Sequence, residues 1–510
     1  MICKSRIAGI VAGVVCIVTA VSSNAEEWKI LGPRALGMGG AHVAVVNDST
    51  AQYWNPAAFG FFGSQASEKV NKDEYSDKDF GVYIQGGAGF RAHQDIIKEI
   101  EDLSAGGLNF DLLSADVDTG GLSDLSNVDD YVKMIDELED LNKENIAISA
   151  IGNGSVNVRV RSYGLGLIVS ADIVAIPVMD VVNINPSSAA TATTDLTSEL
   201  GNLQTDTGAD SNLDALTPAQ QTQLTDTINA LGEWSAAETA QLVYALDDAL
   251  ADAGYDDTTN PVPQDYVDAT ETVAVLANNA VTGGSFDDNQ SKVVFRGALV
   301  SEVPLSYGYT LSDNLAIGGN LKYLKARTYS SEILVFDSNT QDFFANAMDS
   351  YVESSSFGID MAALYKFKSM RFGIVGRNLN TPAFDQSAPG DYELDPQVRV
   401  GAAYRLWDMI TFAADLDITE NDTNVSKNYK SQNISGGLEI DLLRFLQLRG
   451  GAYKNLSEED IGLVYTAGLG LNFYLLQIDL AAAMSADKAT IDGNNLPEEI
   501  RGQLAVSFQF

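Results

Sequence analysis

The strongest constraint on this chain is a two-residue alternation that keeps returning after position 80. At the C-terminus Leu504, Val506, Phe508 and Phe510 alternate with Gln503, Ala505, Ser507 and Gln509. Val398, Val400, Ala402, Tyr404 and Leu406 alternate with Gln397, Arg399, Gly401, Ala403 and Arg405, and Ile410, Phe412, Ala414, Leu416 and Ile418 with Thr411, Ala413, Asp415 and Asp417. Successive strand side chains point to opposite faces, so each stretch reads as a strand with one apolar face. A β-sandwich alternates too, but the connections separate the two architectures. Short turns at 161–162, 312–314, 368–370, 407–409, 442–444 and 474–475 alternate with long connections at 91–145, 177–290, 331–354, 380–396, 419–432, 454–462 and 485–500. Short turns at one rim and long loops at the other are the mark of a transmembrane β-barrel.

The zigzag predicts an all-β, antiparallel barrel of about 14 strands, an even number as single-chain bacterial barrels have. The spans are 80–90, 146–160, 163–176, 291–311, 315–330, 355–367, 371–379, 397–406, 410–418, 431–441, 445–453, 463–473, 476–485 and 501–510. Most reach the ~9–11 residues a tilted membrane strand requires. A cation facing lipid at the bilayer midplane costs ~2–4 kcal/mol, so Arg399, Arg405 and Arg449 should face inward. Asp415, Asp417, Glu439 and Asp441 share that face by the same alternation. The lumen is then lined by both signs, either as a network of paired charges or as a selectivity lining.

Ahead of the strands, Gly37, Gly39 and Gly40 fall within four positions, where glycine admits left-handed backbone and close approach. Ala41 to Val46 are small and apolar, and Asn55 before Pro56 favours a turn. Two readings stand: a compact plug inside the barrel, or a glycine-rich loop before the first strand. Earlier still, Lys4 and Arg6 precede an apolar run at 7–21, and Ser23-Asn24-Ala25 offers small residues for cleavage, which together predict a secretory signal over 1–25. Cys3 and Cys16 would leave with it, so the mature chain is expected to hold no disulfide, thiolate metal site or redox pair.

The formal net charge of −39 argues against nucleic acid as a partner. The acid is concentrated: 162–291 contains twenty Asp and Glu and no Lys or Arg. Within the insertion at 177–290, Thr217-Pro218 reads as a helix start, Ser235 with Glu238 as a capping box, and Gly254 as a stop, with Leu242, Leu246, Ala249 and Leu250 along one face. Asp206, Asp210, Asn212 and Asp214 could supply oxygen ligands to calcium, but Thr217 stands where an EF-hand places its bidentate Glu, and no metal site is assigned. A second insertion at 95–142 has helical spacing in Ile96, Ile97, Ile100 and Leu103 and again in Tyr131, Met134, Ile135 and Leu138. For catalysis there are two histidines, His42 and His93, without a sequence-evident Ser or carboxylate partner. No enzyme and no cofactor is expected.

Pro33-Arg34-Ala35-Leu36-Gly37-Met38-Gly39-Gly40-Ala41, Asn47-Asp48-Ser49-Thr50 and Asn55-Pro56-Ala57 resemble the N-terminal hatch of FadL-type long-chain fatty-acid channels. Asn320-Leu321-Lys322-Tyr323, 373–379, Pro396-Gln397-Val398-Arg399-Val400-Gly401 and Ala414-Asp415-Leu416-Asp417 are similar to a related family known as conjugal transfer protein TraF. The resemblance implies a 14-stranded outer-membrane barrel at 80–510, a hatch at 26–79 with gating at Gly37, Gly39, Gly40, Asn55, Pro56 and Ala57, and an external insertion at 177–290. It further implies passive uptake of hydrophobic or amphipathic small molecules across the outer membrane of a Gram-negative-type bacterium. The expected partners are outer-membrane lipid, such a small molecule, and the barrel-assembly machinery through Phe510. The alternative is a conjugation-associated or structural barrel whose acidic cap binds a partner protein.

Overall fold

The computed structural model describes residues 27–62, 79–94, 96–99, 138–180, 183, 213–230, 235–252, 254–256, 258–264, 267, 289–334, 351–387 and 391–509, less 408, 443, 444, 474, 492 and 493. The expected signal at 1–25, most of the helical spacing in 95–142, Asp206 to Asn212 and Phe510 lie outside these residues.

Alternation produces long antiparallel strands. In chain order they are β1 (Phe80–His93), β2 (Ala147–Val160), β3 (Tyr163–Val178), β4 (Lys292–Ser312), β5 (Leu315–Leu334), β6 (Tyr351–Phe367), β7 (Met370–Arg377), β10 (Gln397–Leu406), β11 (Ile410–Asp417), β14 (Asn433–Leu442), β15 (Leu446–Asn455), β16 (Val464–Phe473), β17 (Leu476–Ser485) and β20 (Glu499–Gln509). These fourteen form one closed barrel, sealed where β1 pairs β20 from Gly81↔Gln509 to Arg91↔Glu499. Each predicted span coincides with one of them, with ends within four residues. Closure leaves no sheet edge for another chain to extend.

Three small hairpins stand in the long connections: β8 (Ala383–Phe384) with β9 (Tyr392–Glu393), β12 (Asn421–Asp422) with β13 (Lys430–Ser431), and β18 (Lys488–Ile491) with β19 (Asn494–Pro497). The alternation does not reveal them, because two to four residues are too few to establish a period.

The outward face is apolar. Leu165, Leu305, Leu321, Phe357 and Leu480 are each more than half exposed. Near the short turns, exposed Tyr163, Tyr307, Tyr309, Tyr365, Phe367, Phe372, Tyr404, Trp407, Phe412, Phe445 and Phe473 form an aromatic girdle. Such a girdle marks the membrane interface of outer-membrane barrels. No helix among the described residues is long and apolar enough to cross a membrane.

The acidic insertion folds around its own core. α3 (Pro218–Ala230) and α4 (Ala236–Asp252) enclose Ala215, Leu216, Leu224, Ile228, Val243, Leu250, Val262 and Val267. Thr217 starts α3 as expected, but its partner is Gln220: the Gln220 side chain accepts from both the Thr217 N–H and hydroxyl, and Thr217 Oγ1 accepts the Gln220 N–H. Gly254 ends α4 at φ +95° with its N–H on the Ala251 carbonyl. Leu242, Leu246, Ala249 and Glu238 lie outside the described side chains. The Asp214 N–H donates 2.7 Å to the buried Asp247 carboxylate, which also takes the N–H groups of Ala215 and Leu216.

Candidate functional site

Residues 27–62 contain only short helices, α1 (Pro33–Gly37), α2 (Ala51–Trp54) and a 3₁₀ helix (Pro56–Phe61), and almost every residue is buried. They touch the inward face of strands all round the barrel, which places them in the lumen. Glu27 meets Arg91 of β1 and Asn433 of β14 toward the long-loop side, while Gly60 and Phe62 reach the short-turn rim at Thr310 and Ser162. The segment therefore runs the height of the barrel. It makes no β-ladder with the wall.

Three kinds of contact hold it. The first is charge pairing. Arg34 donates two parallel bonds to Glu439, at 2.9 and 2.8 Å, and a third to Asn47. Glu439 also receives Arg449 at 2.7 Å, and Arg449 reaches Asp479 at 2.5 Å. Lys29 pairs with Asp172, and Glu27 with Arg91, whose other partner is Glu499. Asp415 uses one oxygen to accept the N–H groups of His42 (2.7 Å) and Val43 (2.9 Å). Arg399 pairs with Asp417, its direct cross-strand partner, as Glu439 is of Arg449 and Arg91 of Glu499. Arg405 and Asp441 sit half-buried beside the short turns.

The second contact is between wall cations and the aromatic faces of the segment. Arg159 lies 4.0 Å over Phe62, Lys366 3.9 Å over Phe61, Arg377 4.1 Å over Tyr53 and Arg399 4.7 Å over Trp28. Each is worth ~0.5–2 kcal/mol when desolvated. The third is backbone against backbone. Gly39 sits at φ +67°, and a Cβ there would lie 2.4 Å from the Ala452 carbonyl oxygen. Wall glycines answer it: a Cβ on Gly437 or Gly451 would strike Met38, one on Gly318 Pro56, and one on Gly308 Gly60. Glycine inside a strand pattern signals close backbone approach, and that signal stands in the sequence at these four positions, singly at Gly308 and as Gly-Gly pairs at 318–319, 436–437 and 450–451.

Asn55 closes the segment on itself. Its side chain accepts the Ala57 N–H at 3.1 Å and donates to the Val43 carbonyl at 3.0 Å and, more weakly, to Ala363 of β6 at 3.4 Å. Gly37, Gly39, Gly40, Asn55, Pro56 and Ala57 are all buried. A separate network that sequence reasoning missed joins Lys322 to Glu302 and Asp360, and Arg377 to Glu302.

His42 is buried edge-on against Trp54. His93 has gained partners: Nε2 lies 2.9 Å from Ser149 Oγ and Nδ1 3.2 Å from Asp460 Oδ2. This is the hydrogen-bond order of a Ser–His–Asp triad. The cavity beside Ser149 holds about 10 Å³, room for a single water and for no substrate. The trio ties β1, β2 and the connection between β15 and β16 together.

No curated protein matches the chain. Among solved structures, a mutant of the TodX monoaromatic hydrocarbon channel aligns over 94% of this chain and 99% of its own at 9% identity and TM-score 0.44. The Pseudomonas putida toluene transporter TodX aligns over 95% and 99% at 9% identity and TM-score 0.42, and a Pseudomonas aeruginosa FadL homologue over 96% and 100% at 10% identity and TM-score 0.41. The family model described as the F plasmid transfer operon TraF protein matches residues 52–417, from the lumen segment through β11. That match takes in most of the barrel and the acidic insertion between β3 and β4, and this chain is a member of that TraF family.

Proposed function

We propose that the protein is a plugged outer-membrane channel for the passive entry of hydrophobic or amphipathic small molecules, with residues 27–62 as its hatch. The observation that carries this reading is that the lumen is filled by a segment fastened through side chains and close contacts, not through strand pairing. Such fastenings can be exchanged without breaking the barrel. The hinge is the Asn55-Pro56 turn, since the Asn55 amide spans both the hatch at Val43 and the wall at Ala363.

The test is flux through purified protein in liposomes. Intact protein should pass a small amphipathic dye slowly, and protein lacking 27–62 should pass it at least about tenfold faster, since a filled lumen is exchanged for an open one. Absence of flux in both would end the channel reading. A structural barrel whose insertion binds a partner is the second reading, favoured by the separate core around α3 and α4.

A further inference from the structure

The connection between β11 and β14, residues 418–432, does not stand out from the rim. In the order of strands around the barrel, β11 and β14 are ninth and tenth of fourteen, and β2, β3 and β4 are second to fourth. These positions lie on opposite walls. Nevertheless the tip of the connection is seated on the far wall. Val425 is buried in one cluster with Ala147 of β2 and Val174 of β3. Arg296 of β4 donates to the Val425 carbonyl, Asn424 to the Asp172 carbonyl of β3, Ser426 to Asn145 and Asn428 to Glu144. Tyr429 stands edge-on to His93 with ring centres 4.9 Å apart, and its hydroxyl lies 2.8 Å from both Asp460 oxygens.

External loops are ordinarily exposed and mobile, whereas Asn421, Val425 and Tyr429 are each at most 4% exposed. The cavity under this crossing is lined by Glu27 of the hatch together with Arg91, His93, Thr423, Val425 and Tyr429. Asp172 serves both layers, its carboxylate holding Lys29 of the hatch and its carbonyl taking Asn424.

We propose that residues 418–432 are a strap across the long-loop mouth, a second barrier in series with the hatch. It rests on the channel reading for its purpose, but not for its test. The strap lifts by releasing Val425 and Tyr429 from the far wall while its roots at Asp417 and Asn433 stay in the barrel. Solute arriving from the long-loop side meets it first.

Cysteine accessibility tests this without any flux. Ile151→Cys places a thiol on β2 beneath the strap, where Ile151 lines the covered cavity. A charged, membrane-impermeant maleimide applied from the long-loop side should label it slowly. Adding Tyr429→Ala should raise the rate at least about tenfold, because a local opening has lost its main tie. In a second variant that combines Glu27→Cys with Val425→Cys and Val174→Cys, oxidation should bring labelling at Glu27→Cys to background, and reduction should restore it. Heat-modifiable gel mobility reports that each variant retains its barrel. Equal labelling of Ile151→Cys with and without Tyr429→Ala, in protein that keeps its barrel, overturns the strap. Liposome flux then separates the two claims: labelling that responds while flux stays absent supports the strap and rejects the channel.

Discussion

Glu439 holds two guanidinium groups at once, Arg34 from the hatch and Arg449 from the neighbouring strand. Glu439→Gln would leave Arg34 facing a neutral partner in a buried setting, while Arg449 keeps Asp479. Breaking a buried pair costs about 3–5 kcal/mol, so the variant should lose that much stability in denaturant titration and leak in liposomes. Gly39→Ala tests a different force. Its left-handed backbone alone costs a side chain ~1–2 kcal/mol, and the opposing Ala452 atoms are wall backbone that cannot swing away. The hatch should detach locally, seen as faster hydrogen exchange at 37–45 while exchange of the strand amides is unchanged. Asp460 gives the pH dependence. Burial works to raise its carboxyl, but hydrogen bonds from His93 and Tyr429 and the nearby Arg91 outweigh burial and hold it below the usual carboxylate range. A depressed carboxylate contributes stability above its unfolded value, ~3.9, and loses it as pH falls through the folded value. Labelling of Ile151→Cys, divided at each pH by that of a fully exposed thiol so that the falling thiolate fraction cancels, should therefore be flat from neutral pH down to about 4 and rise only below it. Asp460→Asn should raise that ratio at every pH.

The barrel strands were legible because their signal is repeated over ten residues or more and lipid enforces it: a register slip would turn every apolar side chain inward. The same alternation placed Arg399, Arg449, Asp415, Asp417 and Glu439 inward. It could not name their partners, because Arg34 and Glu439 are 405 residues apart and only closure brings them together. It also left open whether the N-terminal glycines formed a plug or a loop, and the close approach of Met38 to wall glycines Gly437 and Gly451 supports the plug reading. The strap was hidden for a similar reason, since a long polar loop reads the same whether it stands free or crosses the mouth. The acidic insertion is an element of another kind. Its described core shares no member with the barrel clusters, and its base is fixed by Asp180, Asn183, Asn289 and Ser291. Replacing 184–288 with a short Gly-Ser linker should thus leave the barrel folded, with heat-modifiable mobility retained and a thermal midpoint changed by no more than a few degrees. A collapse of the barrel would show that the insertion carries part of its stability.

Charge is sorted across the whole molecule in a way that its total conceals. The chain carries −39, yet twenty acidic residues without a base lie in 162–291, most of them beyond the barrel wall. Among the described barrel strands the buried charged side chains nearly balance: Arg91, Arg159, Lys322, Lys366, Arg371, Arg377, Arg399, Arg449 and Arg501 against Asp172, Glu302, Asp360, Asp415, Asp417, Glu439, Asp479 and Glu499. Most of these are paired across strands or with the hatch, so the lumen carries dense charge of little net sign. Rings of one sign select ions; a balanced lining does not. Removing 27–62 should consequently yield a conducting pore with weak ion selectivity, its reversal potential in a tenfold salt gradient within about 10–15 mV of zero. Strong cation selectivity would instead place the insertion's acidic surface over the pore, because screening confines that field to about 8–10 Å at physiological salt. Repeating the measurement with 184–288 also removed decides the source: selectivity that disappears comes from the insertion, and selectivity that persists comes from the wall.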